Sequence, residues 1–247
     1  MKNIITRVLL FLLATPALLA AVFLFPGYNH LAFNVIVCLA AGLAGMEVLS
    51  MFRASRIKAG GVLVLGFLAG TALPAAATIA TLTGATTELI LIVAVATIGV
   101  LLAGAALTAR EGRFEAALPA LAAYSFALMY PGLFSVYGVR MTQLPSPSIL
   151  IIVFLCSVFF NDSLAYVTGM LFGRRSRAIL AVSPNKSLVG FLGGFLASIG
   201  VIVAAGALLP QVFPGTIYSR ILFGAAIGGA TILGDLGESA LKRAADV

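Results

Sequence analysis

Apolar stretches long enough to cross a bilayer recur along this chain, separated by short polar breaks. A span needs roughly 20 predominantly apolar residues. Eight segments meet that length: 8–25, 31–52, 61–83, 88–108, 116–139, 148–172, 187–209 and 221–241. The pattern predicts an all-α, polytopic integral membrane protein of about eight transmembrane helices. Residues Met1 to Ala21 imitate a secretory signal peptide, with a basic end, an apolar run and small residues. The run continues to Phe25, however, so an uncleaved first helix is expected. Pro16, Pro74, Pro119 and Pro131 fall inside spans, where neighbouring helices can re-satisfy a broken backbone ladder. Glycine clusters at Gly190, Gly193 and Gly194 and at Gly224, Gly228 and Gly229 predict close helix approach. No internal repeat or low-complexity linker interrupts the chain. It reads as one transmembrane domain, 1–247, with a hydrophobic framework over 1–150 and a motif-bearing part over 151–247.

Composition agrees. The chain is 62% hydrophobic and 9% charged, against about 25% charged in a soluble domain, so lipid is the solvent that accommodates it. A net charge of +7 would ordinarily raise nucleic acid as a partner. Here the basic residues sit in short loops between apolar spans, which is a topological pattern, and no nucleic-acid partner is expected. With the N-terminus inside, Lys2, Arg7, Arg53, Arg56, Lys58, Arg110, Arg113, Arg174, Arg175, Arg177, Lys186, Lys242 and Arg243 all lie on the inner side. Only Arg140 and Arg220 are left outside. The expected location is therefore the inner (cytoplasmic) membrane, with the N-terminus and the polar site cytoplasmic. Cys38 and Cys156 lie within apolar runs and read as small buried hydrophobes. His30, near the outer end of the second span, reads as a packing or solvated residue.

Four acids lie near span ends: Glu47, Glu88, Glu111 and Glu115. Asp162, Asp235 and Glu238 instead fall within spans, where a charge is costly and marks a functional site unless it merely joins two helices. Asp235, Glu238, Ser239 and Lys242, at i, i+3, i+4 and i+7, form one helical stripe. Asn161, Ser163 and Tyr166 flank Asp162, and the loop beyond carries Ser183-Pro184-Asn185-Lys186-Ser187. Carboxylates suit a hard divalent cation such as Mg²⁺, which takes oxygen ligands and keeps phosphate in its shell. Lys and Arg beside them suit phosphate oxygens. Ser183 and Ser187 at a helix start could add anion-binding donors. The set fits phosphoryl or nucleotidyl transfer, and equally the cavity of an ion- or lipid-coupled transporter.

These residues carry a family resemblance. Asn161-Asp162-Ser163-Leu164-Ala165-Tyr166, Gly169, Phe172-Gly173, Ser183-Pro184-Asn185-Lys186-Ser187 and then Gly190, Gly193 and Gly194 form one stretch. Gly234-Asp235-Leu236-Gly237-Glu238-Ser239-Ala240-Leu241-Lys242-Arg243 form the other, more specific one. Together they resemble the phosphatidate cytidylyltransferase (CDP-diacylglycerol synthase) family, over about a third of the chain, residues 161–243. The resemblance implies transfer of a cytidylyl group from CTP to phosphatidic acid in a membrane of lipids, giving CDP-diacylglycerol and pyrophosphate. It implies catalytic roles for Asp162, Asp235 and Lys186, with Asp235 and Asp162 on Mg²⁺ or another hard divalent cation. Ser183, Asn185, Ser187, Glu238, Ser239, Lys242 and Arg243 would contact the substrates. A homo-oligomer is compatible with this. Two positions depart from the family: Val189 stands where Glu is usual, and Thr231 where Ser is common. The family continues past Lys-Arg into a further helix with a second acidic motif, so the sequence is expected to be a fragment of a longer protein. Related CTP-dependent lipid enzymes, of the polyprenol kinase or CDP-archaeol synthase type, are the nearest alternatives to this reading, with the transporter behind them.

Overall fold

The computed structural model describes residues 13, 15–55, 62–86, 88–110, 114–173, 183–184 and 186–246. The described residues are helical almost throughout, with no β-ladder among them. The helices are α1 (Gly27–Ala54), α2 (Leu63–Thr83), α3 (Glu88–Arg110), α4 (Phe114–Ala127), α5 (Phe134–Met141), α6 (Pro147–Phe172), α7 (Leu188–Leu208) and α8 (Ile217–Ala244). A π-helical turn, Leu128–Leu133, joins α4 to α5, so the two form one broken span. Seven spans among the described residues are long and apolar enough to cross a membrane, and the protein is a polytopic membrane protein. They match the second to eighth segments expected from sequence within a few residues. Of the expected first span, 8–25, residues 8–12 and 14 lie outside the described residues, and 15–23 are helical.

The chain forms two compact units, Met1–Ser148 and Ile149–Val247. In the first, α1 and α2 pack backbone against backbone. A Cβ on Gly66 would stand 2.8 Å from the Gly45 carbonyl oxygen, and one on Gly70 would collide with the Ala41 carbonyl. Lipid tails are as apolar as Leu, so such close packing, and not hydrophobic burial, is what joins helices in a bilayer. Around this seam Val48, Ala69, Leu73, Ala77, Ala127, Leu128, Val136 and Val139 make the core. The unit is pinned at several ends and breaks. Tyr124 Oη accepts the Val62 backbone N–H at 2.7 Å, at the start of α2. Gly84, at φ +70°, ends α2 in the left-handed conformation usual at helix C-termini. Pro74 within α2 has no N–H to offer the Gly70 carbonyl. Gly132, in the π-turn, points its Cβ direction at that oxygen, 3.2 Å from a built Cβ.

Tyr28, Asn29 and His30 are left-handed, with φ of 52°, 54° and 55°. The turn is held by the Asn29 side chain, which donates to the Thr81 carbonyl at 2.8 Å, and by Asn34 Nδ2, which donates to the Asn29 carbonyl at 3.1 Å. His30 is buried here as a packing residue. α3 contributes Ile90, Val93, Ala94 and Ile98 to the edge of the core, yet no residue of Glu88–Ala106 is fully buried.

In the second unit α7 is gripped from both sides. Against α6, a Cβ on Gly190 would lie 2.7 Å from the Ala165 carbonyl oxygen, and one on Gly194 2.6 Å from that of Asn161. Against α8, a Cβ on Gly224 would lie 2.6 Å from Ile199 Cα. Thr216 N-caps α8, accepting the Ser219 N–H at 3.3 Å. Arg220 lies over Gly206 and donates from Nη2 to the Phe213 carbonyl at 3.0 Å. Its positive charge thus sits beside the carbonyl end of α7, which favours cations. That local role accounts for one of the two basic residues that fall on the unexpected side of the charge pattern.

A candidate carboxylate–ammonium site

The described polar residues singled out above lie in the second unit, and some of them meet there. Asp162 is exposed in the C-terminal half of α6, and Asp235 and Glu238 lie in the C-terminal half of α8. Lys186 immediately precedes the Ser187 N-cap of α7. Lys186 Nζ forms an ion pair with the Asp235 carboxylate, their side chains 33% and 42% exposed. One turn further along α8, Lys242 Nζ pairs with Glu238 Oε1. Burial pushes the Lys186 ammonium below the ordinary lysine range, and the carboxylates of Asp162 and Glu238 push it back up. The result is a half-buried cation among three acids, drawn from three helix ends.

Local sequence explains the placement. Ser187 Oγ accepts the Gly190 N–H at 3.0 Å, satisfying an orphan donor of the first turn. Its side chain nests against Gly169 and Gly173, where any Cβ would meet it. The N-terminus of α7 is thereby seated on α6, with Lys186 immediately before it. Ser183 and Lys186 close a turn, with the Lys186 N–H donating to the Ser183 carbonyl at 3.1 Å. On α8, Ser239 Oγ donates to the Asp235 backbone carbonyl at 2.8 Å. Ser187 and Ser239 therefore already have backbone partners. Arg243 is exposed on the last turn of α8. Asn185, together with Arg174, Arg175 and Arg177, lies outside the described residues.

Sequence reasoning named Asn161 beside Asp162 but not the partners behind it. Asn161 Nδ2 donates to Ser198 Oγ at 3.0 Å, Ser198 Oγ donates to the Ser157 carbonyl at 3.2 Å, and Ser157 Oγ donates to the Ser198 carbonyl at 3.5 Å. All three residues are buried. Three small polar residues within apolar spans, two of them at i and i+4, were the available signal.

Among the described residues no three His, Cys, Asp or Glu side chains are gathered closely enough to hold a metal ion alone. The donor set still fits Mg²⁺, which binds through one or two carboxylates with the remaining positions left to water and substrate phosphate.

Fold and site together define a polytopic membrane protein with acids and ammonium groups gathered at the ends of three helices. The profile of the cytidylyltransferase family matches residues 5–247, and the chain belongs to that family. It is similar to phosphatidate cytidylyltransferase of Aquifex aeolicus, 33% identical over 119 residues, which are 48% of this chain and 42% of the relative. It is likewise 34% identical over 126 residues to the Bacillus subtilis protein of the same name, covering 50% of this chain and 45% of the relative. A chloroplastic phosphatidate cytidylyltransferase of Arabidopsis thaliana matches at 30% over 97 residues, 39% of this chain and 23% of the relative. The chain spans less than half the length of the curated relatives it matches.

Proposed function

We propose that the protein acts in transfer of a cytidylyl group from CTP to phosphatidic acid, at the cytoplasmic face of the inner membrane. Lys186, held between carboxylates of α6 and α8, is the observation that carries this reading. An ammonium kept in place by acids is a preorganised receptor for a phosphate, and family membership supplies the nucleotide. The phosphate of phosphatidic acid is already ionised at neutral pH. One of its oxygens attacks the α-phosphorus of CTP, a P–O bond forms, and the bond to the bridging oxygen of the β-phosphate breaks. Pyrophosphate leaves with that electron pair. No general base is required, so alignment and charge neutralisation supply the acceleration.

In this scheme Lys186 turns from Asp235 toward the nucleotide phosphates, and Lys242, steadied by Glu238, with Arg243 neutralises the departing charge. Asp235 and Asp162 would hold Mg²⁺, which supplies Lewis-acid polarisation of phosphate oxygens when bound. Ser183 and Asn185 would give polar contacts to nucleotide or head group. Ser239 contributes the hydroxyl capacity that its backbone partner leaves over, while Ser187, buried against Gly169 and Gly173, seats the N-terminus of α7. The cytoplasmic placement rests on the asymmetry of basic residues between alternate loops.

The test is incorporation of labelled CTP into lipid by the purified protein with Mg²⁺ and phosphatidic acid. CDP-diacylglycerol should form in equal amount with pyrophosphate. Labelled product with a polyprenol or an archaeal-type lipid but not with phosphatidic acid would overturn the acceptor. A protein that binds CTP yet transfers nothing to any lipid would overturn the reaction.

A further inference from the structure

Behind Asp162, on the face of α6 that meets α7, lies the hydrogen-bonded set Asn161–Ser198–Ser157. We propose that Asn161 is a positioning residue, whose hydrogen bond to Ser198 sets the rotation of α6 about its own axis and thereby aims Asp162 at Lys186. The proposal rests on the reading of the site given above.

Three observations carry it. Asn161 is 2% exposed and Ser198 and Ser157 are fully buried, so water cannot substitute for these bonds. The helices touch through backbone at the same level, where a Cβ on Gly194 would lie 2.6 Å from Asn161 O and 2.9 Å from Asn161 Oδ1. Glycine contact alone is smooth and lets one helix roll on the other, whereas a directed amide-to-hydroxyl bond fixes one azimuth. Finally, Asn161 and Asp162 are adjacent, so the two side chains leave the helix about 100° apart. One faces α7 while the other is exposed.

The geometry indicates why this matters. A carboxylate stands about 5 Å from the helix axis. A roll of 10–20° moves it roughly 1–2 Å, beyond the about 0.5 Å to which a productive site must be held. Misplacement of about 1 Å can cost on the order of 10²-fold in rate. Interhelical hydrogen bonds in membranes contribute little to stability by comparison. A large effect on turnover with a small one on stability is therefore the signature of positioning.

The experiment compares wild type, Asn161→Leu, Ser198→Ala and the double variant, measuring melting temperature, kcat and KM for CTP. Leu keeps the branched shape, and Ala in place of Ser198 makes room for it and leaves no amide or hydroxyl unpaired. In the double variant the melting temperature should return to near that of wild type, while kcat stays about 10–100-fold down with little change in KM. Recovery of kcat along with stability would overturn the proposal and leave a simple helix contact. So would an unchanged kcat in Asn161→Leu. Absence of turnover in wild type would defeat the proposed function by itself. The positioning role is then judged from dipolar coupling between nitroxides at Asp162→Cys and Asp235→Cys, with Cys38 and Cys156 replaced. Asn161→Leu should broaden that distance distribution, and an unchanged distribution would overturn the role.

Discussion

Replacing Asp235 by Asn separates the two things a buried-edge carboxylate can do. The substitution keeps shape and removes charge. Its cost to the fold can be bounded from the structure. Ser239 Oγ bonds to the Asp235 backbone carbonyl, so that contact survives any change of side chain. What is lost is the ion pair with Lys186. Two unit charges 4 Å apart interact by about 4 kcal/mol at an effective dielectric near 20. Both side chains are a third or more exposed, however, and water screens the pair toward the about 0–1 kcal/mol typical of such contacts. The melting temperature should therefore fall by only a few degrees. Turnover is a different matter. Loss of one fixed electrostatic partner of a transferring phosphoryl group costs roughly 10²–10³ in rate, by analogy with removal of one oxyanion stabiliser. Asp235→Asn should thus insert and melt almost normally while its Mg²⁺-dependent incorporation of CTP falls by that factor at matched protein. Near-normal incorporation would refute the reasoning and make Asp235 a helix-contact residue that happens to hold Lys186.

Three further outcomes are expected. Gly194→Leu should lower the melting temperature sharply, because the added side chain meets the Asn161 backbone 2.6 Å away and overpacking of this kind costs about 1–3 kcal/mol or more; unchanged melting would mean α6 and α7 separate freely. Tyr124→Phe should destabilise the start of α2 by about 1 kcal/mol and speed hydrogen exchange at the Val62 amide, which loses its acceptor; unaltered exchange at that amide would count against the contact. A chain lacking its native cysteines and carrying Ser183→Cys should be labelled by an impermeant thiol reagent in inverted vesicles and protected in intact cells, and the reverse pattern would overturn the orientation.

The spans were legible because a bilayer imposes a length, and apolar runs of that length leave few other readings. The break within the fifth expected segment was not. Pro131 marked a disturbance, but that it resolves as a π-turn, packed at Gly132 close to the Gly70 carbonyl of α2, is not something local sequence names. Within the site, Asp162 and Asp235 stood out because a charge inside a span is expensive. That cost cannot tell a reader which hydroxyls are already engaged. Ser187 and Ser239 share a helix face or end with the acids, as their spacing says, yet their oxygens also serve Gly190 N–H and Asp235 C=O. Asn161 and Ser198, 37 residues apart, meet only once two helices have chosen an azimuth, and no periodicity encodes that.

α3 has a consequence for how this sequence can change over time. Its segment Glu88–Ala106 is long and apolar enough to cross a membrane, and none of it is fully buried. A helix that partitions into lipid on its own oiliness and touches its neighbours on one stripe is held by a property of the whole segment more than by any one side chain. Leu91, Ile92, Val95, Val100 and Leu102, all exposed, are free to exchange among apolar residues at almost no cost. α2, half of whose window is buried and which meets α1 through Gly66 and Gly70, has no such latitude. Neutral drift should therefore accumulate on α3 while α2 stays nearly fixed, although the two helices follow one another directly along the chain.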